Sequence, residues 1–289
     1  MRSGSTVLRR RSSGREYRGA APKAFGGSLD SISTKPIRLT DPEPVRGFLE
    51  ADPVGNAFAW HWAFQQRDRD IAADQLPPRA VFSLSHGTPP ITFRFGSLTA
   101  KNSEAAETVL QAATPGPAFV LITDLGLLDA LPSRAHVVHV RPAWLHQLDS
   151  KDFVNVQKHE IRPVPVEWAP TVANLWEPEW DAVPYVRSRL EDGPSVGIFD
   201  GERLVAWYAT HIETNRVAVM GFLHVLEEYR HRGYASSLSS ALSKEIFRAG
   251  KIPACHVYAD NESSLRLMAS LGLRRVKQHA FVEVEFGDR

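Results

Sequence analysis

The stretch RVAVMGFLHVLEEYRHRGYA, residues 216–235, decides the fold of this chain. Its first eleven residues are almost continuously apolar, which is typical of a central strand that is covered on both faces. A turn containing Gly233 follows, and Leu238, Leu242 and Ile246 then recur with the spacing of one helix face. A strand, a glycine turn and a helix N-terminus in this order predict an anion site, because the N–H groups of the first helical turn have no partner within the helix.

The residue types of this turn suit a phosphate group. Gly233 lets an anion approach the backbone closely, and Ala235 keeps the next turn small. Arg230 and Arg232 bring positive charge within reach. We therefore predict an anion-binding turn at the start of this helix, carried by Arg230, Arg232, Gly233 and Ala235.

The elements around this segment form a regular series. From residue 161 onward, periodicity and turn residues predict the order β-α-α-β-β-β-α-β-α-β. The predicted strands are 161–166, 195–199, 204–212, 216–226, 254–258 and 280–286, and the predicted helices are 170–176, 183–190, 234–249 and 262–271.

The preceding half, residues 36–150, is predicted to be an α/β unit without a recognisable chemical motif. Its predicted strands are 80–84, 91–95, 119–122 and 136–140, and its predicted helices are 52–66 and 103–113. Residues 151–165, with Pro163 and Pro165, show no sustained periodicity and are interpreted as a crossover between the halves. The sequence leaves open whether the first half contributes to the site.

Composition excludes several classes of protein. The chain has 289 residues, one cysteine, and 34 Lys+Arg against 33 Asp+Glu. One cysteine cannot form an internal disulfide or a Cys-rich metal module. A net charge of +1 gives no overall basic field, so neither nucleic acid nor an anionic membrane is an expected partner, and no apolar run is long enough to span a bilayer.

The charge is unevenly distributed along the chain. Residues 1–29 contain seven Lys or Arg residues against Glu16 alone, a charge of +6, so the rest of the chain carries −5. A leader that is rich in Arg and Ser and poor in acids has the composition of an organelle transit peptide. The alternative is a disordered start without a targeting role. Residues 1–35 are therefore treated as a leader outside the fold.

Two motifs in the second half resemble those of a known superfamily. R-x-x-G-x-A at 230–235 resembles the coenzyme A pyrophosphate loop of GNAT acetyltransferases. DNESSLRLM at 260–268, followed by LGL at 271–273, looks like the N-x-x-A-x-x-L-Y…G-F segment of the same superfamily. The resemblance covers residues 161–289 and implies a mixed, largely antiparallel central sheet flanked by helices. Residues 36–150 would form a degenerate GNAT-like half.

Longer stretches resemble one branch of the superfamily. GPSVGIFDGERLVAWYATH (193–211), HVLEEYRHRGYAS (224–236) and CHVYADN (255–261) are similar to glycine N-acyltransferase-like proteins. The resemblance implies direct acyl transfer from acetyl-CoA or another acyl-CoA to a primary amine, with acyl-CoA as a co-substrate rather than a permanently bound cofactor. It also implies that backbone N–H groups of His231, Arg232, Gly233, Tyr234, Ala235 and Ser236 hold the pyrophosphate, and that the pantetheine arm pairs with the strand near His224, Val225 and Leu226. Asn261 and Ser264 would contact the coenzyme as well. The resemblance further favours a mitochondrial location over a cytoplasmic one.

The sequence departs from the family pattern at its acid and base positions. Met268 stands where the family has a general-acid Tyr, and the apolar residues Val217–Gly221 stand where many members have a carboxylate. His224, His211 and Glu213 are the candidate replacements for the base, because histidine titrates in a useful range. Tyr258 is the candidate acid, and the alternative for both roles is solvent.

Other reactive side chains are given ordinary roles. Cys255 lies in an apolar strand and is interpreted as a buried hydrophobe rather than a nucleophile. His224 and His256 could pair on a metal, but no further ligand follows at suitable spacing, so no metal is expected. A group of aromatic residues between the first two helices of the second half is predicted either to shape a substrate pocket or simply to pack: Trp176, Trp180 and Tyr185.

The sequence as a whole predicts an acyl-CoA-dependent N-acyltransferase acting on a small acceptor such as glycine or another amino acid. A protein or peptide N-acetyltransferase and a non-catalytic acyl-CoA-binding protein are the alternatives. The oligomeric state and the acyl chain length are not predicted.

Overall fold

Residues 35–176, 178 and 181–287 are described by a computed structural model of the chain. The basic leader, apart from Lys35, and Trp180 lie outside the described residues. The described part from Lys35 onward belongs to one unit of structure. No helix within these ranges has the length and apolar character needed to cross a membrane.

Short helices and strands alternate in the first half. In chain order these are β1 (Ile37–Arg38), α1 (Arg46–Glu50), α2 (Ala57–Phe64), β2 (Arg69–Ala73), β3 (Ala80–Ser85), β4 (Phe95–Ala100), α3 (Ser103–Leu110), β5 (Gly116–Ile122) and β6 (Ala135–Gln147). The predicted strand over 91–95 is wrong, because Ile91–Arg94 precede β4 and Pro89 and Pro90 interrupt any earlier pairing.

The second half follows the predicted series closely. Its elements are α4 (Ala169–Trp176), α5 (Val183–Asp192), β7 (Ser195–Asp200), β8 (Arg203–Glu213), β9 (Val217–Val225), α6 (Tyr234–Arg248), β10 (Ile252–Tyr258), α7 (Glu262–Ser270) and β11 (Arg274–Phe286). The predicted strand over 161–166 is reduced to one bridge between Arg162 and Gly197, since Pro163 and Pro165 cannot donate ladder hydrogen bonds.

Eleven strands of the described residues form one sheet in the order β1-β2-β3-β4-β5-β11-β6-β10-β9-β8-β7. Two neighbouring pairs, β4 with β5 and β9 with β10, are parallel, and the other pairs are antiparallel. The predicted fold class, a mixed and largely antiparallel sheet flanked by helices, is confirmed.

The two halves exchange their last strands. β11 of the second half pairs with β5 of the first, and β6 of the first half pairs with β10 of the second. β6 and β11 also pair with each other over most of their length. The sheet therefore runs without interruption across the predicted crossover at 151–165.

Helices cover both faces of the sheet. On one face, α3 packs against the first half, while α6 and α7 pack against the second. On the other face, α1 and α2 cover the first half, and α4 and α5 cover the second. Because side chains alternate along a strand, Ala254 and Phe281 face α2 whereas Cys255 and Val282 face the α3 and α6 layer.

Candidate functional site

The central feature of the site is a gap between two parallel strands. β9 and β10 pair from Val217 with Ile252 to Met220 with Cys255. Beyond these residues β9 stays with β8, and β10 stays with β6. The carboxyl ends of β9 and β10 therefore diverge and leave a passage between the two faces of the sheet.

A bulge in β9 lies at the start of this gap. The register of β9 against β8 shifts between the pairs Trp207 with His224 and Ala209 with Gly221. Phe222 has a φ of 63°, an unusual value for a bulky residue. Its ring is held by Trp176, with ring centroids 4.5 Å apart. A backbone distortion held by packing in this way is typical of functional sites.

The predicted anion loop is open in the structure. Residues 226–233 connect β9 to α6, and both His231 (φ 63°) and Gly233 (φ 78°) adopt the left-handed conformation. A Cβ at Gly233 would meet only the Nε2 atom of His159, at 3.9 Å. The N-cap of the 15-residue α6 forms no side-chain hydrogen bond within the described residues, so the first N–H groups of the helix are available to an anion.

Arg230 and Arg232 brace this loop and leave their charge uncompensated. Arg230 Nε donates to the carbonyl of Val225 at 3.3 Å, and Arg232 Nη2 donates to the carbonyl of Glu228 at 3.0 Å. Both side chains are exposed, and neither forms an ion pair within the described part of the chain. The loop therefore presents two cations beside the start of α6.

The sequence analysis missed a segment that supports the loop. The N–H groups of Val156 and Lys158 each donate at 3.1 Å to Ser240 Oγ and Ser237 Oγ of α6, respectively. His159 Nε2 lies 2.9 Å from the carbonyl oxygen of Arg232. The serines of α6 were a signal for this segment, because Ser237 and Ser240 are buried and buried hydroxyl groups require hydrogen-bond partners.

The neighbouring helix α7 begins as predicted. Asn261 Oδ1 accepts a hydrogen bond from Ser264 N at 3.1 Å and caps the helix. Met268, at the position where the resemblance would place a general acid, is 1% exposed and its sulfur lies 3.4 Å from Cys255 Sγ. Burial raises the pKa of Cys255 to about 12, so this thiol is inert packing.

Of the candidate bases, His211 packs against the bulge, with its ring centroid 5.2 Å from that of Phe222. A Cβ at Gly221 would lie 2.8 Å from the Cβ of His211, so only glycine allows this approach. Tyr185 Oη lies 2.8 Å from both His211 Nδ1 and the His211 carbonyl oxygen. The single phenolic proton goes to the carbonyl, so Nδ1 donates to Tyr185 and Nε2 carries the lone pair. Burial, with smaller contributions from His256, Arg189 and His61, lowers the pKa of His211 to about 3.

His224 and Glu213 occupy different surroundings. His224 stacks on Trp207, with ring centroids 4.8 Å apart, and burial followed by nearby Arg230 lowers its pKa. The carboxylate of Glu213 lies 2.5 Å from Lys251 Nζ and 3.3 Å from Arg189 Nη2. Glu213 therefore forms ion pairs with two cations, Arg189 and Lys251.

His256 pairs with another histidine rather than with His224. Its Nε2 lies 2.9 Å from Nδ1 of His279, across the small residue Ala143 of β6. Burial lowers the pKa of both rings, that of His256 to about 3. Within the described residues, no group of three His, Cys, Asp or Glu side chains is placed to hold a metal ion.

Rings from both halves meet above the gap, on the face covered by α2, α4 and α5. Phe58 of α2 lies 5.6 Å from His211 and 5.5 Å from His256, between ring centroids. Phe95 stacks on Tyr185 at 6.4 Å. We call this group the aromatic cluster, and its members are Phe58, Phe95, Trp176, Tyr185, His211, Phe222, His256, Tyr258 and Phe281. The first half thus contributes Phe58 and Phe95 to the rings beside the gap.

Tyr258 forms one end of the aromatic cluster. Its ring centroid lies 5.7 Å from that of Phe281, and the guanidinium of Arg141 lies 3.4 Å from the centroid of the Tyr258 ring. The structure thus brings the predicted residues His211 and Tyr258 to one cluster of rings, while His224 stacks on Trp207. The predicted anion-loop residues lie together at the opposite face of the gap.

Comparison with known proteins agrees with this geometry. Residues 195–282, which contain the gap, the loop and α7, match the family described as FR47-like protein. No curated protein matches the chain.

Solved structures resemble a larger part of the chain. A Drosophila protein from a structural genomics programme is 18% identical, with a TM-score of 0.67, and covers 86% of this chain and 98% of its own. A GNAT-family acetyltransferase from Colwellia psychrerythraea is 14% identical, with a TM-score of 0.55, and covers 88% and 100%. A tandem GNAT protein of the clavulanic acid pathway is 13% identical, with a TM-score of 0.56, and covers 88% and 98%. The chain therefore has the GNAT-type fold.

Proposed function

We propose that the chain is an acyl-CoA-dependent N-acyltransferase that transfers an acetyl or other acyl group directly to the primary amine of a small acceptor. The observation that carries this proposal is the open loop at 226–233 beside the gap between β9 and β10. A helix N-terminus on one face of the gap and a histidine on the other suit a donor that passes through the sheet. The GNAT-type fold and the FR47-like match support the same activity.

The donor's pyrophosphate would bind the N–H groups from His231 to Ser236. Arg230 and Arg232 would add charge-assisted hydrogen bonds. The pantetheine arm would lie in the gap along His224, Val225 and Leu226, pairing with β9 as an added strand pairs with a sheet edge. Asn261 and Ser264 would approach the coenzyme from the start of α7.

The reaction needs few protein groups. The amine nitrogen attacks the thioester carbon, the carbon–sulfur bond breaks, and the amine proton that is lost balances the proton gained by the thiolate. A backbone N–H near the bulge at Phe222 is positioned to stabilise the oxyanion, because the register shift there takes it out of the regular ladder. The hydroxyl of Tyr258 or solvent would protonate the leaving sulfur.

His211 is the best-placed base among the predicted residues. Tyr185 fixes the tautomer with a lone pair on Nε2, and the ring lies directly over Gly221 at the bulge. Because its pKa is about 3, His211 is uncharged at neutral pH. It would accept the proton once the nitrogen has bonded to the thioester carbon, since that nitrogen is then a far stronger acid than a free ammonium.

The activity is tested by following thiol release from acetyl-, benzoyl- and longer acyl-CoA with a panel of amines, amino acids and peptides. We expect amine-stimulated release for at least one pair. Measurable CoA binding without such release for any pair would contradict the proposal and favour a non-catalytic acyl-CoA-binding protein. Release with peptides alone would favour a peptide N-acetyltransferase.

The base is tested with matched histidine variants. His211→Gln should lower kcat by at least about 100-fold with CoA affinity retained, which is the usual size of a general-base effect. Tyr185→Phe should have a smaller effect in the same direction. His224→Gln is the comparison variant, and a larger loss of kcat for it than for His211→Gln would transfer the role to His224.

A glycine N-acyltransferase-like role and a mitochondrial location remain proposals that rest on the motif resemblance and on the basic leader. Fusing residues 1–35 to a reporter protein tests the second of these. Mitochondrial import of the fusion is the expected result, and a diffuse cytoplasmic signal would contradict it.

A further inference from the structure

A cavity of about 570 Å³ lies in the first half of the protein, away from the gap between β9 and β10. Its volume is in the range of small-molecule sites. Residues of α1, of the turn between β2 and β3, of the end of β4 and of β11 line it. None of these lining residues has a role in the acyl transfer proposed above.

The first half repeats the strand arrangement that opens the gap in the second half. In the first half the last parallel pair is Leu98 of β4 with Ile122 of β5. In the second half it is Met220 of β9 with Cys255 of β10. The strand beyond each pair also corresponds, because β11 extends past the end of β5 as β6 extends past the end of β10.

The cavity lies where this arrangement places a gap. Thr99, the first residue of β4 beyond the parallel pairs, lines it, and so does Lys277 from the extension of β11. α1 also lines it, from the face of the sheet that α4 and α5 cover in the second half. Ligands commonly bind beyond the carboxyl ends of parallel strands.

The charged groups of the cavity are two lysines and one aspartate. Lys277 Nζ lies 3.8 Å from Asp52 Oδ2, and Asp52 Oδ1 also accepts a hydrogen bond from Gly55 N at 2.9 Å. Lys101 forms no ion pair within the described part of the chain, and its Nζ lies 6.0 Å from the centroid of the Phe48 ring. The cavity therefore has one uncompensated positive charge beside an aromatic ring.

The buried part of the lining is polar and has unused hydrogen-bonding capacity. Asn56 and Thr99 are 6% and 5% exposed, and Thr99 Oγ1 donates to Asn56 Oδ1 at 2.9 Å. Asn56 Nδ2 donates one hydrogen to the carbonyl of Leu49 at 3.2 Å, and no described residue accepts the other. Since buried polar groups normally have partners, an acceptor atom in the cavity would supply the missing one.

The start of α2 adds to the preference for a negatively charged acceptor. Asn56 is the N-cap of this eight-residue helix, and its side chain forms no capping hydrogen bond. The partly positive N-terminus of α2 therefore lies beside the buried polar lining. The remaining surface is apolar and is made largely of rigid rings: Pro44, Phe48, Pro77 and Pro78.

From these features we propose that the cavity binds a small organic carboxylate. The carboxylate pairs with Lys101 and accepts the free N–H of Asn56, while the apolar body of the ligand packs against Phe48 and the prolines. Coenzyme A does not suit this half, because Asn102 caps α3 and leaves no open loop for a pyrophosphate. The site is separate from the proposed acyl transfer and does not depend on it.

Titration of the full chain with benzoate, followed by ligand-observed NMR, tests the site. We expect a dissociation constant of about 1 mM or lower, and weaker binding of benzyl alcohol, which has the ring without the charge. Lys101→Gln should weaken benzoate binding about fivefold, because a charge-assisted hydrogen bond is lost. Lys101→Arg keeps the charge and should retain most of the affinity.

Three results would overturn the proposal. The first is absence of binding at about 10 mM benzoate. The second is equal affinity of the unmodified and Lys101→Gln proteins, and the third is tighter binding of benzyl alcohol than of benzoate. Because the titration needs no turnover, its outcome is distinguishable from success or failure of the proposed acyl transfer.

Lys151→Gln is the matched control. Lys151 is exposed, like Lys101, and lines a cavity of similar size, about 610 Å³, beside the end of α6. This variant should bind benzoate as the unmodified protein does, whereas a loss equal to that of Lys101→Gln would contradict a specific site. The titration is repeated with CoA present, and the affinity should be unchanged. Displacement of benzoate by CoA would place it between β9 and β10 and overturn the proposal.

Discussion

The two halves of the sheet contain the same parallel unit, a strand, a helix and a strand, with the helix on the same face. In the first half only Lys101 and Asn102 separate β4 from α3, and Asn102 Oδ1 accepts from Ala105 N at 2.9 Å. In the second half residues 226–233 separate β9 from α6, with two left-handed residues and no side-chain cap. The first helix start is closed by its own cap, and the second is open. The anion site therefore depends on the loop, not on the unit that both halves share.

The largest expected effect comes from closing the open loop. Gly233→Val should weaken CoA binding by at least about 100-fold, equivalent to about 2.7 kcal/mol, because the residue has φ 78° and its missing side chain leaves the room for the pyrophosphate. Isothermal titration with CoA measures this.

The control for this change lies at the other end of the same helix. Gly250 has φ 71° and no atom within 4 Å of a built Cβ, so Gly250→Val carries similar backbone strain. CoA affinity should be unchanged in this variant. Equal losses in the two variants would mean that strain in α6, rather than the loop, controls binding.

The second half brings two histidines, His211 of β8 and His256 of β10, to the aromatic cluster. Burial lowers each pKa from 6.5 to about 3, so the unfolded chain binds more protons than the folded one below pH 6.5. Stability is unaffected above that pH and falls as the pH drops toward 3. Between pH 7 and 5 the free energy of unfolding should fall by roughly 2–4 kcal/mol.

Urea unfolding at the two pH values checks this expectation. His211→Gln should reduce the acid-induced loss by roughly 2 kcal/mol, the amount expected for one histidine whose pKa falls from 6.5 to about 3 on folding. A free energy of unfolding that is equal at pH 7 and pH 5 would show that these histidines become protonated without unfolding the chain.

A smaller effect is expected from the charges beside the open loop. Replacing both Arg230 and Arg232 with Gln should weaken CoA binding roughly tenfold, since charge-assisted hydrogen bonds to phosphate would be lost at an exposed site. The loss should shrink at high salt, where exposed charges are screened. Affinity that is the same in the double variant at low salt would assign binding to the backbone alone.

The smallest effect compares two helix caps. Asn102 and Asn261 each accept a hydrogen bond from the residue three positions on. Each Asn→Ala variant should lower the free energy of unfolding by about 1 kcal/mol. Asn261→Ala should in addition weaken CoA binding about threefold, whereas Asn102→Ala should not. A matching loss of affinity in both variants would indicate a general loss of stability.

The sequence predicts what is local. The apolar run at 216–226, the glycine at position 233 and the spacing of Leu238, Leu242 and Ile246 are enough for β9, the loop and α6. Each depends on neighbouring residues, so periodicity and turn chemistry capture it. Asn261 as a cap and Cys255 as core follow from the same local reasoning.

The sequence does not predict contacts between distant residues. Nothing in the periodicity of β6 indicates that it pairs with β10 rather than with β5, and the ring of Phe58 is 153 positions from His211. Glu213 has the sequence context of a solvated turn, yet Arg189 and Lys251 neutralise it. The aromatic cluster and the surroundings of the candidate bases therefore required coordinates.

The exchange of last strands has a consequence for how the protein is made. β5 is complete at Ile122, but its second neighbour β11 ends at Phe286, near the end of the chain. During synthesis one edge of the first half's sheet therefore stays unpaired until β11 has been made. An unpaired sheet edge can associate with other chains. We expect folding during translation to depend on chaperones. A nascent chain that stops before Arg274 should aggregate, because the two halves do not fold independently of each other.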